Sequence, residues 1–250
     1  MDRKSILPLY YQIEQELLKR INEGDYKAGD LLPTEKELQT QYDVSRTTIR
    51  SALSSLMQKG LIIRIPGKGT FIAKPRIIHH VGTITSFTDE MKRRGIKPST
   101  KLLFFTRITT PEYIAKDLNI PIDSKVIMMR RLRFANGEPI AVNDTYLPED
   151  MVPELLEKGL KGESLYNMLE TEYGWQFKET RETIEATLIV DQEAILLGVP
   201  NGSPGLLVGR VSFVQNGRPV ERAYTTYRGD RFTYFTTLYG RNEEIKNQYI

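Results

Sequence analysis

No cysteine occurs in the 250 residues, and histidine only twice, as the adjacent pair His79 and His80. The first absence excludes disulfides, thiolate metal sites and cysteine nucleophiles. Neighbouring histidines with no acidic or histidine partner at ligand spacing argue against a metal centre; the pair reads as part of a polar linker. No stretch nears the roughly 20 apolar residues that a membrane span needs. The N-terminal "MDRKSILPLYYQIEQ" lacks a signal-peptide core, so the expected compartment is the cytoplasm. Nucleophile-elbow, phosphate-loop and dinucleotide fingerprints are missing, and the carboxylates form no recognisable catalytic pair. Neither an enzyme nor a cofactor is expected.

What is present is ordinary in amount and uneven in place. Hydrophobic residues make up 40% and charged residues 27%, enough for two cores in a chain of this length. Residues 1–76 carry 13 Lys/Arg against 9 Asp/Glu, a net +4; the remainder carries 22 against 23, a net −1. The basic excess in the first third suits a polyanion partner there.

That third has the order of a winged helix-turn-helix. Leu9, Ile13, Leu17 and Ile21 make one apolar helical stripe. In "LPTEKELQTQY", Thr34 followed by Glu37 predicts a capping box on a short second helix whose Leu38 and Tyr42 face the core. Ser45 predicts the N-cap of a third helix with Ile49, Leu53 and Leu56 inward and Gly60 ending it. Arg46, Thr47, Thr48 and Arg50 crowd that helix's first turn, where a recognition helix meets base edges. Arginine can fork onto guanine O6 and N7, and threonine can meet a thymine methyl or phosphate. Strands at 61–65 and 70–72, tipped by Pro66, Gly67, Lys68 and Gly69, predict the wing.

Residues 74–81, "KPRIIHHV", read as an extended linker. Beyond them the sequence repeats with a shift of 79: Ala115 matches Ala194, Leu118 Leu197, Pro121 Pro200, Ser124 Ser203, Arg131 Arg210 and Phe134 Phe213. After one extra turn residue, Gly137 matches Gly217 and Pro139 Pro219. Each copy predicts a helix, a strand, an Asn-Gly turn and a second strand. The first helix is expected to start with Thr110 as cap and Pro111 inside, the second with Asp191 as cap. A further helix is expected from Ser164 to Tyr173, stopped by Gly174. The expected domain is α+β with a mostly antiparallel sheet and a cleft between two related halves. Arg131 and Arg133 share one face of a strand, with Leu132 and Phe134 on the other. Such a pair fits an anion such as phosphate, or else a solvated or salt-bridged face.

"PLYYQIEQELLKRI", "LLPTEKELQTQYDVSRTTIRSALSSLMQKGLI" and "GKGTFIA" resemble the DNA-binding domain of the GntR family. The resemblance implies DNA contacts from Lys36, Ser45, Arg46, Thr47, Thr48 and Arg50, and from Gly67, Lys68 and Gly69 of the wing. It also implies a homodimer on an inverted-repeat operator, acting as a repressor. "SFTDEMKRRGIKP", "RRLRFANGEPIAVNDTYLP", "SLYNMLETEYG" and "VERAYTTYRGDRFTYF" resemble the UTRA effector-binding domain of the HutC-like branch, whose fold is similar to chorismate lyase. The implied division is a DNA-binding domain at 1–73, the linker at 74–81 and an effector domain at 82–250. In sugar-phosphate members a hydroxyl-rich loop, paired strand arginines and a helix start hold the phosphate; those positions here are Phe87 and Thr88, Arg131 and Arg133, and Ser164. Tyr166, Glu221 and Tyr227 would meet the sugar. Asn143 stands where amino-sugar responders often carry glutamate. The implied effector is a small anion, a sugar phosphate or amino-sugar phosphate. A non-phosphorylated organic acid, or an enzyme with an appended DNA-binding domain, are the rival readings.

Overall fold

A computed structural model describes residues 5–65, 67–74, 76–80 and 82–238. It divides into two compact units between Arg76 and Ile77. Pro66, expected at the wing tip, and Pro75 of the expected linker lie outside the described residues.

The first unit packs α1 (Leu9–Glu23), α2 (Glu35–Tyr42) and α3 (Arg46–Gln58) against a hairpin of β1 (Ile62–Ile65) and β2 (Gly69–Ile72). Ile13, Leu17, Leu38, Ile49 and Leu56 are fully buried, each stabilising by about 1.5–3 kcal/mol. Local chemistry sets the helix ends. Thr34 Oγ1 accepts from the Glu37 N–H, and Glu37 accepts from the Thr34 N–H at 2.7 Å, completing the capping box. Helix α3 closes in a Schellman arrangement: Leu61 N–H reaches Leu56 O and Gly60 N–H reaches Met57 O, with Gly60 at φ +69°. A short stretch unmarked in the sequence joins the wing: Leu32 N–H donates to Thr70 O, and Ile72 N–H to Asp30 O.

The second unit is built on a six-stranded antiparallel sheet, order β4-β5-β6-β9-β8-β7. Its first half is β4 (Pro98–Thr109), α5 (Glu112–Leu118), β5 (Lys125–Ala135) and β6 (Glu138–Pro148). After the short α6 (Leu155–Lys158) and α7 (Leu165–Tyr173), its second half is β7 (Phe177–Ile189), α8 (Asp191–Leu197), β8 (Ser203–Val214) and β9 (Pro219–Arg228). The repeat therefore reaches back to strands that begin 79 residues apart, at Pro98 and Phe177. The halves join through β6 and β9 at the middle of the sheet.

The two turns differ by the extra residue. Asn136 (φ +50°) and Gly137 (φ +80°) are both left-handed, as a two-residue hairpin loop requires. In the second copy only Gly217 is (φ +80°). There Gly217 N–H donates to Val214 O and Val214 N–H to Arg218 O, closing a three-residue loop.

Three expectations are corrected. Ile77–His80 is not linker but a strand, β3, paired in parallel with β10 (Phe232–Phe235); its alternating burial marks it as a half-buried strand. Thr110 does not cap α5: its hydroxyl donates to Ser124 O, and Pro111 takes the cap position. Asp191 is the first residue of α8 rather than its cap, and its N–H is taken by the Asn201 side chain. At Thr110 the loop after the helix takes the hydroxyl that would have capped; at Asp191 the same loop binds the backbone N–H, and the helix begins one residue early. The helix after Ser164 matches expectation, with Ser164 accepting from the Asn167 N–H and Gly174 left-handed at its end.

One sheet face carries α5 and α8 on Leu132, Val142 and Val126. The other carries two separate apolar clusters, one of α7 with Ile127, Met129 and Leu147, one of β3 and β10 with Met91, Ala135 and Ile140. The inward row of β5 is thus Ile127, Met129, Arg131, Arg133, Ala135, all buried. Two arginines interrupt an otherwise apolar row, and that interruption lines the cavities of this unit.

Candidate functional site

In the first unit, Lys36, Arg46, Thr47, Arg50, Lys68 and the wing glycines Gly67 and Gly69 are exposed. Ser45 caps α3, accepting from the Thr48 N–H and sharing a 2.8 Å bond with the Thr48 hydroxyl. These two hydroxyls shape the helix start, leaving Arg46, Thr47 and Arg50 as its outward groups. Glu35, absent from the sequence reading, receives Arg46 at 3.0 Å and Arg64 of β1 at 3.4 Å. It holds one cation from the helix and one from the wing strand, and both stay largely exposed. Gly69 sits at φ +121°, a backbone conformation that residues with a Cβ rarely adopt, so the wing favours glycine there.

In the second unit the paired arginines form the common wall of two cavities. The inner, of about 60 Å³, also touches Phe87, Asn143, Glu221 and Tyr227; the outer, of about 440 Å³, touches Thr88, Thr100 and the residues flanking Ser164. Arg131 is 4% and Arg133 7% exposed. Their partners are neutral. Arg131 donates twice to Asn143 Oδ1 (2.6 and 3.1 Å) and once to Thr145 Oγ1 (2.8 Å). Arg133 donates to Thr100 Oγ1 at 2.8 Å and lies 5.2 Å from the Phe87 ring centroid. Neither has a carboxylate ion-pair partner among the described residues. Burial first, and then the charge of Arg133, push the Arg131 guanidinium well below its usual range. Burial brings Arg133 down to about 10. Glu221 in the same cavity only partly offsets this; buried cations with no carboxylate in direct contact are costly, so this wall is chemically fitted to an anion.

Around it the polar groups are already committed. Asn143 spends its oxygen on Arg131 and its amide N–H on Thr225 Oγ1 at 2.9 Å, so it orients Arg131. Thr88 donates to Glu163 O, which fixes α4 (Phe87–Arg93) to the residues just before α7. Glu221 Oε2 receives Tyr166 at 2.6 Å and Ser212 at 2.7 Å. Burial, with Glu221 beside it, pushes the Tyr166 hydroxyl up, so it remains a donor. Burial raises Tyr227 to about 12 while its ring stacks on Phe232 at 3.9 Å.

Two groups escaped the sequence reading. Arg210, the repeat partner of Arg131, also lines the inner cavity, but Glu182 accepts its Nε–H at 2.7 Å. Burial alone would lower its guanidinium; Tyr166, Glu182 and Glu221 outweigh that and hold it well above its usual value. His79, expected in a linker, lines the cavity with Glu90. The repeat signalled Arg210; no local signal marks His79.

Comparison with known proteins agrees with this layout. The model described as bacterial regulatory proteins, gntR family, matches residues 9–72, and that of the UTRA domain matches residues 93–233. The chain is 34% identical over 234 residues to the HTH-type transcriptional repressor NagR of Bacillus subtilis (strain 168), spanning 94% of this chain and 96% of that protein. It is 32% identical over 232 residues to the probable fructoselysine utilization operon transcriptional repressor of Escherichia coli (strain K12), spanning 93% and 95%. The crystal structure of PhnF from Mycobacterium smegmatis superposes with a TM-score of 0.65 at 28% identity, covering 94% of this chain and 100% of that one. The chain belongs to the GntR family of bacterial transcriptional regulators, in the HutC-like branch whose second domain is a UTRA domain.

Proposed function

We propose that the chain is a ligand-responsive repressor: a homodimer that holds an inverted-repeat operator in the cytoplasm and releases it when a small anion binds the second domain. The observation that carries the effector class is the pair of buried guanidiniums, Arg131 and Arg133, with neutral partners only. A phosphoryl group offers oxygens enough for both forks and relieves their mutual repulsion. The hydroxyl-rich lining suits a sugar phosphate or amino-sugar phosphate. The names of relatives support the sugar-derived part: one is the fructoselysine operon repressor above, another the mannosyl-D-glycerate transport/metabolism system repressor of Escherichia coli (strain K12), 26% identical. On the DNA side, Arg46 and Arg50 read base edges, each bidentate guanine contact contributing about 1–3 kcal/mol of discrimination. Lys36, Thr47 and Lys68 hold phosphates, with Ser45, Thr48, Gly67 and Gly69 shaping the surfaces that approach them. A hundredfold loss of operator affinity on effector binding needs about 2.7 kcal/mol of coupling.

The test is a thermal melt of the full chain against inorganic phosphate, sulfate, sugar phosphates, their unphosphorylated parents and organic acids. A ligand at about 100 times its dissociation constant adds about 2.7 kcal/mol. Stabilisation by the phosphorylated sugars, with competition from phosphate and sulfate, is expected. Stabilisation by organic acids alone overturns the phosphate assignment. Operator release is then measured on a DNA fragment that the wild-type protein selects from a random pool; Arg46→Ala is expected to lose that fragment and keep the ligand.

A further inference from the structure

His79 is a buried side chain, 7% exposed, that nothing in the anion site above employs. Its ring is held on three sides. Phe232 and Tyr234 pack on it with centroids at 6.0 and 4.7 Å. Both Glu90 oxygens lie 2.7 Å from Nδ1. Glu90 is itself fixed by Arg94 at 3.0 Å. In its neutral form the ring carries its proton at Nδ1, beside the carboxylate, and presents Nε2 as an acceptor. Among the described residues Nε2 has no hydrogen-bond partner, yet the residue lines the inner cavity together with Arg131 and Arg133. An oriented acceptor in a cavity whose cations take the anion selects the other end of the ligand: a group that donates.

We propose that His79, positioned by Glu90, recognises the effector by accepting a hydrogen bond from one hydroxyl of a polyhydroxylated anion whose charged group lies on Arg131 and Arg133. The inference rests on the anion reading and adds the polarity of the ligand: anion at the arginines, hydroxyl at the imidazole. It also makes Glu90 a positioning residue, acting through the ring rather than on the ligand.

Calorimetric titration of the full chain separates the two claims. Inorganic phosphate probes the arginines alone; hexose phosphates probe the arginines and His79 together. Wild type, His79→Gln and His79→Leu are expected to bind inorganic phosphate alike. The tightest hexose phosphate is expected to weaken about tenfold in His79→Leu, the size of one lost hydrogen bond, and much less in His79→Gln, which keeps an acceptor. Undiminished hexose phosphate binding in His79→Leu overturns the proposal, as does an equal loss of inorganic phosphate. If no hexose phosphate binds better than inorganic phosphate, the proposal falls and the anion reading stands. If neither binds, the anion reading falls first. Should His79→Leu fail to fold, mono-deoxy hexose phosphates on wild type serve: one position must weaken binding about tenfold, and equal affinity along the series overturns the proposal.

Discussion

Arg131 and Arg210 hold equivalent places in the two halves of the UTRA domain, yet only one is closed by a carboxylate. Across the β7–β8 ladder Arg210 faces Glu182; across the β4–β5 ladder Arg131 faces Leu102. Arg210 is therefore a structural cation whose charge is answered within the sheet. Arg131 has hydroxyl and amide partners, which hold its geometry without neutralising it. One strand position decides which of the two equivalent arginines is paired with a carboxylate inside the sheet.

The largest way to break this comparison is Arg131→Met. The stabilisation of about 2.7 kcal/mol expected from effector at about 100 times its dissociation constant should vanish in thermal melts. The ligand-free protein should change by less than about 1 kcal/mol, because a buried charge without a counterion leaves with it. Arg210→Met should do the reverse, costing about 2 kcal/mol in urea unfolding by stranding the largely buried Glu182. Equal behaviour of the two variants would erase the distinction between open and closed arginines.

The turns sharpen the same comparison at smaller scale. Asn136→Ala puts alanine at φ +50° and removes the bond from Lys97 N–H, so about 1 kcal/mol is expected in urea unfolding. Asn216→Ala loses only its bond from Arg218 N–H, and less than half of that is expected. The smallest effect lies in the DNA-binding unit, where Glu14 and Lys59 form another closed pair. The Lys59 hydrogen bond holds the Glu14 carboxyl below its ordinary value of 4.5. Its stabilisation is full above that value and lost as pH falls through the lowered one. Glu14→Gln should flatten the acid limb of a stability-versus-pH curve and leave the neutral plateau's slope unchanged.

The DNA-binding unit was legible because its signals are local. Thr34 with Glu37, Ser45 at the start of α3 and Gly60 beyond its end each act within a few residues, and each sits in its expected place. The caps expected at Thr110 and Asp191 failed where contacts 14 and 10 residues away intervene: Ser124 O takes the Thr110 hydroxyl, and Asn201 binds the N–H of Asp191, which lies inside the helix. In the UTRA domain the repeat disclosed the two halves, and alternation put Arg131 and Arg133 on one face. It could not disclose their lack of carboxylates, which is a property of the strand alongside.

The sequence by itself thus determined the helix ends, the wing, the duplicated sheet and the shared face of the two arginines, since each follows from spacing along one chain. Only the tertiary structure decided which arginine stays open, that Asn143 is spent on orienting it, and that His79 leaves the expected linker for the site. Those outcomes depend on burial and on which group arrives within about 3 Å, and residues 11 to 82 positions apart meet only when the chain has folded.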